Sequence, residues 1–355
     1  MAYRRVAVIV ASISVLTGCG AGTPRENILT SGGSTFAQNM VEACRRAYYA
    51  DDASNPTGIA ISYSATGSGT GRTNFKNGTF DFALTDSAYK SNAPSDFIYV
   101  PMVAGPIAIA YRLDGVVPES ATVQMSANTL AKVLAGQITR WDDEELVADN
   151  PDISLPDTGI RVAYRAGNSG TTSNLTKYLT AASPSVWSND ASDDFTSAFP
   201  GTLPTDGTFQ AASGSDGVTN YAADNDGSIT YAELSYVTDR SARGLRALKV
   251  ANNTGEYVAP SAQSTATFYA NAEVTENGLA KVDYATEEPG AYLINAISYG
   301  LISTKKDLKN SKTRMFFEYV LNSCAPNQGA ELGYAPLTGA IRDKANQLLD
   351  SVINE

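Results

Sequence analysis

Histidine is absent from all 355 residues of this chain. That one gap removes the Ser-His-Asp triad, His-ligated zinc and the commonest general base together. Positive charge is in short supply too: 26 lysines and arginines face 37 acidic residues, for a formal net charge of −11. Such a surface repels nucleic acid and anionic lipid headgroups, so neither is expected as a partner. The apolar run Val6 to Val15 is far shorter than the ~20 residues a membrane-spanning helix needs. No internal repeat is visible. The length exceeds what one typical core organises, which predicts two domains.

The segment around that short apolar run reads as an export signal. Arg4 and Arg5 supply a positive n-region, Val6 to Val15 the apolar h-region, and small residues lead to Cys19. Leu16-Thr17-Gly18-Cys19 resembles a bacterial lipobox. The resemblance implies a signal peptide over 1–18, cleavage before Cys19 and diacylglyceryl modification of its sulfur. The mature protein would then sit on the outer face of the cell membrane, with 19–26 as lipidated cysteine and linker. The alternative is an ordinary signal peptide with a chance cysteine. Nucleotide cofactors are scarce outside the cell, and no cofactor is expected. Of the three cysteines, Cys44 and Cys324 then remain, an even number in an oxidising compartment, and a single disulfide is the default expectation. Two buried free thiols are the alternative.

Along the mature chain, short apolar alternations and helical stripes take turns. Ile28-Leu29-Thr30 reads as a strand, and Thr35 onward as a helix with Phe36, Met40, Val41 and Cys44 on one face. Ile59 to Ser64 and Phe80 to Leu84 are further strands with a short helix between them. This alternation is the sign of an α/β fold with a parallel sheet and crossovers. Ile98 to Arg112 reads as two apolar strands hinged by Gly105-Pro106, followed by a helix with Ser126 as N-cap and Gly136 just past its end. Ile160 to Arg165 is a strand feeding a helix that begins near Ser169. Ala182 to Gly217, rich in Ser, Thr, Asp, Gly and Pro, reads as long surface loops. Ala291 to Ile302 is an apolar strand region, and helices over roughly Lys306 to Leu321 and Thr338 to Ile353 close the chain.

The chemistry concentrates in three strand-to-helix turns: Ser31-Gly32-Gly33-Ser34-Thr35-Phe36, Gly67-Ser68-Gly69-Thr70-Gly71, and Arg165-Ala166-Gly167-Asn168-Ser169-Gly170-Thr171. Unpaired N–H groups at a helix start carry partial positive charge, and small residues let an anion approach them. Thr35, Ser68, Ser169 and Thr171 add hydroxyl donors, and Arg165 is the one cation among them. A single turn of this kind is an ordinary N-cap; three in one chain point to an anion site. Asp86 is the odd member. A carboxylate beside an anion is repulsive unless the anion offers it a proton, which phosphate does and sulfate at neutral pH does not. Its alternative roles are to cap the next helix or to neutralise Arg165.

Gly33-Ser34-Thr35-Phe36, Gly67-Ser68-Gly69 with Asp81-Phe82 and Thr85-Asp86, Ile138-Thr139-Arg140-Trp141-Asp142-Asp143, and Arg165 with Ser169-Gly170-Thr171 resemble the substrate-binding proteins of high-affinity phosphate ABC transporters. Gly333-Tyr334-Ala335-Pro336-Leu337 resembles that family's C-terminal segment. The resemblance implies a bilobed periplasmic-binding-protein fold of type II, two mixed-sheet lobes joined by a two-strand hinge. Lobe I would comprise 27–104 and 292–355, and lobe II 105–291. It further implies a monomer that closes around one inorganic phosphate and serves ABC permease subunits. The family's ligands fall on Thr35, Phe36, Ser68 and Asp86 from the first lobe and Arg165, Ser169, Gly170 and Thr171 from the second, with Phe36 and Gly170 acting through backbone N–H. In that fold Cys44 and Cys324 belong to one lobe. Asn168 stands where many relatives carry glycine, and Ala182 to Gly217 aligns poorly.

Three other motifs carry less. Asp224-Asn225-Asp226-Gly227-Ser228-Ile229 with Glu233 fits the later half of an EF-hand loop, but its first ligand position falls on Ala222 and Ser228 to Tyr236 alternates like a strand. Gly67 to Gly71 superficially resembles a dinucleotide fingerprint, except that Arg72 takes the place of its third glycine. Trp141 with Asp142 and Asp143 reads as a buried anchor plus carboxylates at a helix start. The competing function is an exported phosphatase with Ser68 or Ser169 as nucleophile, or a receptor for another tetrahedral oxyanion. Without histidine or a metal-ligand cluster the enzyme lacks its machinery, so no catalytic residue and no metal is assigned.

Overall fold

The computed structural model of the protein describes residues 27–116, 118 and 120–352. The expectations for the signal peptide, Cys19 and the linker fall outside these residues. The strands are β1 (Ile28–Gly33), β2 (Ala60–Ser64), β3 (Phe82–Thr85), β4 (Phe97–Arg112), β5 (Gln124–Met125), β6 (Arg161–Arg165), β7 (Phe209–Ala212), β8 (Ser228–Glu233), β9 (Arg246–Ala247), β10 (Lys249–Ala251), β11 (Tyr257–Val258) and β12 (Asn295–Ser303). The main sheet runs β2-β1-β3-β12-β4-β8-β6-β7, with β9 beside β4, and β11-β10-β5 form a small second sheet.

The two ends of the main sheet repeat one arrangement. β1 lies between parallel neighbours β2 and β3, and β3 meets β12 antiparallel. Likewise β6 lies between parallel β7 and β8, and β8 meets β4 antiparallel. This is the bilobed mixed α/β architecture, and β4 is common to both halves. Its first part pairs with β12 as far as Pro106, and its second part pairs with β8 from Ile107 onward.

Two strands hinged at Gly105-Pro106 were the expectation; the structure has one strand, buried from Tyr99 to Tyr111. Pro106 has no N–H to give to a ladder, and it sits where β4 changes partners, the place where a missing donor disturbs pairing least. The unbroken apolar run suits a strand covered on both faces.

Four of the parallel strands, β1, β2, β6 and β7, deliver their carboxyl ends to helix starts. The helix Gln38–Ala50 follows β1, Ser68–Lys76 follows β2, Gly170–Ala182 follows β6 and Gly214–Asp224 follows β7. Gln38–Ala50 buries Met40, Val41, Cys44 and Tyr48, the spacing of one helical face. It begins three residues later than Thr35, because Thr35 to Ala37 form a turn in which the Gln38 N–H reaches the Thr35 carbonyl. Ser126 caps Ala127–Leu134 as its sequence indicates, accepting from the Thr129 N–H. Cys44 is bonded to Cys324, with their Cα atoms 5.6 Å apart. Cys324 closes a π-helical turn, Val320–Cys324, that extends the helix Leu308–Tyr319.

Ala182 to Gly217 is not simply surface loop. It contains the short helix Phe195–Ala198, capped by Asp194, the edge strand β7 and the start of Gly214–Asp224. Trp187, Phe195 and Phe199 are buried there, and Phe195 stacks on Tyr164 with ring centroids 4.8 Å apart. These aromatics are few and scattered among Ser, Asp, Thr and Pro, so the polar residues between them mask the burial.

Candidate anion-binding site

The three predicted turns converge. Thr35, Phe36, Ser68, Asp86, Arg165, Ser169, Gly170 and Thr171 are all buried, from both halves of the molecule, at the carboxyl ends of the central strands. That edge is where open α/β sheets bind ligands. Arg165, the last residue of β6, is 3% exposed. Its Nη2 donates to Thr35 Oγ1 at 2.9 Å, crossing from one lobe to the other. Its Nη1 donates to Thr171 Oγ1 at 3.4 Å and to Ser215 Oγ at 3.2 Å. The Thr35 and Ser215 hydroxyls lie 3.1 Å apart. The backbone behind Arg165 is fixed by Tyr231, whose hydroxyl accepts the Arg165 N–H at 3.1 Å and lies 2.8 Å from Thr172 Oγ1.

Asp86 follows β3 and faces the same cluster. Ser34 Oγ donates to its Oδ1 and Oδ2 at 2.6 and 2.8 Å, and Ser68 Oγ donates to Oδ2 at 3.1 Å. Asp86 therefore neither caps a helix nor pairs directly with Arg165; its carboxylate is held by hydroxyls of its own lobe. Gly170 lies against it from the other lobe. A Cβ on Gly170 would fall 2.6 Å from both Asp86 Cβ and Ser68 Oγ, so only glycine permits this approach. Ser169 caps the helix Gly170–Ala182 by accepting the Thr172 N–H, which leaves its own hydroxyl proton free to turn toward a ligand. Phe36 is fully buried; its carbonyl accepts from the Tyr334 hydroxyl at 2.5 Å, and the two rings meet edge-on at 5.8 Å.

Burial sets the electrostatics of this cluster. It raises the Asp86 carboxyl above the usual range, against the lowering effect of the Ser34 and Ser68 hydroxyls. It lowers the Arg165 guanidinium, against the raising effect of nearby acidic groups including Glu233 and Asp86. Glu233, at the end of β8 and 1% exposed, is pushed up to about 8 by burial.

Sequence reasoning missed Ser34, Ser215 and Glu233. Ser34 lies within the first of the three turns, where a serine hydroxyl is equally an ordinary N-cap. Ser215 opens the helix after β7, in a fourth strand-to-helix turn, Ser213-Gly214-Ser215, that followed an alternation only four residues long. Glu233 matched only the last position of a partial calcium loop, which the strand-like alternation from Ser228 counted against. It does end a strand, in the cleft, where the helix Leu234–Thr238 takes over, while Asp224 pairs with Arg243 and Asp226 accepts the Asp114 N–H. Among the described residues no group of three or more His, Cys, Asp or Glu is placed to hold a metal ion. Trp141 is a buried anchor whose Nε1 donates to the Gly227 carbonyl at 3.0 Å, and Asp143 caps the helix Glu144–Asp149. Asn168 lies at the junction of the lobes, its carbonyl accepting the Gly69 N–H at 3.2 Å.

This geometry meets a known group of proteins. Residues 18–323 match the PBP superfamily domain. The chain is 32% identical over 334 residues to the phosphate-binding protein PstS 2 of Mycobacterium tuberculosis, covering 84% of each chain. It is 28% identical over 315 residues to the phosphate-binding protein PstS of Xylella fastidiosa, covering 87% of this chain and 81% of that one. In fold it is similar to a high-affinity periplasmic phosphate-binding protein solved with phosphate bound, with a TM-score of 0.69, 23% identity, and 90% and 93% of the two chains covered. The chain belongs to the PBP superfamily and, within it, to the family of the phosphate-binding proteins PstS.

Proposed function

We propose that this protein is an extracytoplasmic receptor that captures inorganic phosphate between its two lobes and delivers it to the permease of an ABC transporter. The observation that carries this reading is the Arg165 fork donating across the cleft to Thr35, within one buried cluster of hydroxyls that also holds Asp86. The ligand set is Thr35, Phe36, Ser68 and Asp86 from lobe I (27–104 and 292–355) and Arg165, Ser169, Gly170 and Thr171 from lobe II (105–291). Phe36 and Gly170 act through their backbone N–H. A diacylglyceryl group on Cys19 anchors the monomer to the membrane.

Charge-assisted hydrogen bonds contribute roughly 1.5–3 kcal/mol each, so several outweigh lost hydration and reach about −8 kcal/mol, a micromolar affinity. The acidic surface does not oppose this, because net charge acts through fields screened over about 8 Å, whereas the donors act at contact. Burial of the whole cluster also favours a receptor over a phosphatase, since a phosphomonoester brings an organic group that a closed cleft cannot seat. Isothermal titration of phosphate-stripped protein with phosphate, sulfate and arsenate tests the reading. One equivalent of phosphate bound at micromolar affinity or better, with no hydrolysis of a phosphomonoester, is the expected result. A chain that takes up no phosphate, or turns over the ester, sinks it.

A further inference from the structure

Arg72, which broke the dinucleotide fingerprint, has a different partner. Its Nη2 lies 2.6 Å from Asp193 Oδ2, and the two side chains are only 9% and 8% exposed. Among the salt bridges of the described residues this is the one with both members below a tenth exposed, and it joins the helix Ser68–Lys76 on one side of the cleft to the segment after Gly170–Ala182 on the other. On its own side Arg72 is already held: Nη1 donates to Thr85 Oγ1 at 3.1 Å and to Ser87 O and Oγ at 3.1 and 2.5 Å. Ser87 adjoins Asp86. On the other side the Asp193 carbonyl accepts the Ser169 N–H at 2.7 Å. Resting on the phosphate reading, we propose that Arg72 and Asp193 are positioning residues that clasp the lobes over the bound ion and set the rate at which it leaves.

The physical argument concerns which state each group stabilises. Three acceptor contacts within lobe I orient the guanidinium whether or not the lobes are closed, so closure brings a carboxylate to a donor already in place. Lys90 also reaches Asp193, at 3.3 Å, but it is 64% exposed and screened by solvent. Removing either buried member leaves the other charge uncompensated only when the lobes meet, which penalises the closed form selectively. Penalties of that kind appear in dissociation rather than association.

Stopped-flow phosphate release from the full chain, compared for the wild type, Arg72→Ala, Asp193→Ala and the double variant, tests this. Each single variant is expected to release phosphate about tenfold faster or more, with association changed by less than about twofold, and the double variant to be no worse than the worse single one. Arg72→Lys keeps the charge and is expected to fall between wild type and Arg72→Ala, which covers an alanine variant that fails to fold. Amide exchange supplies a readout that needs no phosphate. The Gly69 N–H, bonded across the cleft to the Asn168 carbonyl, is expected to exchange faster in the variants, while the Val41 N–H inside Gln38–Ala50 stays unchanged. Release and Gly69 exchange both at wild-type rates, or equal acceleration at Gly69 and Val41, overturn the clasp. If the wild type takes up no phosphate, the receptor reading fails, and Gly69 against Val41 still decides the clasp.

Discussion

Asp86 and Glu233 are positional counterparts, one directly after β3 and the other ending β8, each at the carboxyl end of the strand between the parallel pair and its antiparallel neighbour. Both are buried, and burial raises both acids. Their surroundings separate them. Asp86 receives the Ser34 and Ser68 hydroxyls, which favour its anion, whereas Glu233 is left with a value of about 8. Environments that differ in this way suit the two carboxyls to different roles, and the proposed phosphate site would use Asp86 as the proton acceptor beside a neutral Glu233.

A pH dependence of stability follows from Glu233. Its carboxyl ionises near 4.5 when solvated and near 8 in the folded protein, so between those values the native state holds a proton that the unfolded chain has lost. Stability contributed below pH 4.5 is therefore lost as pH rises through about 8, and Asp86 acts in the same direction. Thermal unfolding of phosphate-free protein is expected to show Tm falling across this window, on the order of a few kcal/mol in stability. Glu233→Gln should flatten the fall and raise Tm at pH 8. Identical pH profiles for the two proteins would remove Glu233 from this account.

For Asp86 the separable property is selectivity. On the proposed reading its carboxylate would accept the proton that monobasic and dibasic phosphate carry, and would repel sulfate, which has none to give. A like-charge contact in a dry cleft costs several kcal/mol. Asp86→Asn is expected to keep phosphate binding while narrowing the preference over sulfate by about tenfold or more. Competition titrations at matched pH and salt measure it, and an unchanged ratio would make Asp86 a structural carboxylate.

Arg165 donates to three hydroxyls, on Thr35, Thr171 and Ser215, rather than to a carboxylate. Arg165→Ala removes the cation and disperses that cluster, and is expected to weaken phosphate binding by about 3 kcal/mol or more, over a hundredfold. Arg165→Lys should also be impaired, because an ammonium lacks the planar fork that spans the lobes. Wild-type affinity in either variant would show that the turns are misassigned.

The Cys44–Cys324 bond closes a loop with a sequence separation of 280 residues. In the chain-entropy model such a loop stabilises by about 5–6 kcal/mol. Urea unfolding of a Cys44→Ser, Cys324→Ser double variant is expected to show a loss of that order, and thiol titration of native mature protein to find neither cysteine reactive. A midpoint indifferent to the bond would assign the constraint to other contacts.

The legible part of this molecule was the part built from local signals. Ser126 and Ser169 cap where their helices begin, and the turns at Thr35, Ser68 and Arg165 announced themselves by small residues after apolar alternation. What escaped depended on pairing at long range. Whether β4 is one strand or two turns on which partners flank Pro106, and those lie in β12 and β8, far along the chain. Ser215 and Glu233 belong to the site only because β7 and β8 lie on either side of β6. Nothing near Arg72 in sequence points to Asp193, 121 residues away.

The bond between Cys44 and Cys324 has a further effect that is topological rather than energetic. It makes the stretch from 44 to 324 a covalent ring, and that ring contains β6, β7, β8 and both members of the Arg72–Asp193 pair. One peptide cleavage at an exposed loop anywhere within the ring opens it without releasing a fragment. A nicked molecule keeps Thr35, outside the ring, and Arg165, inside it, on a single connected skeleton, and reduction of the bond is what would set the pieces apart.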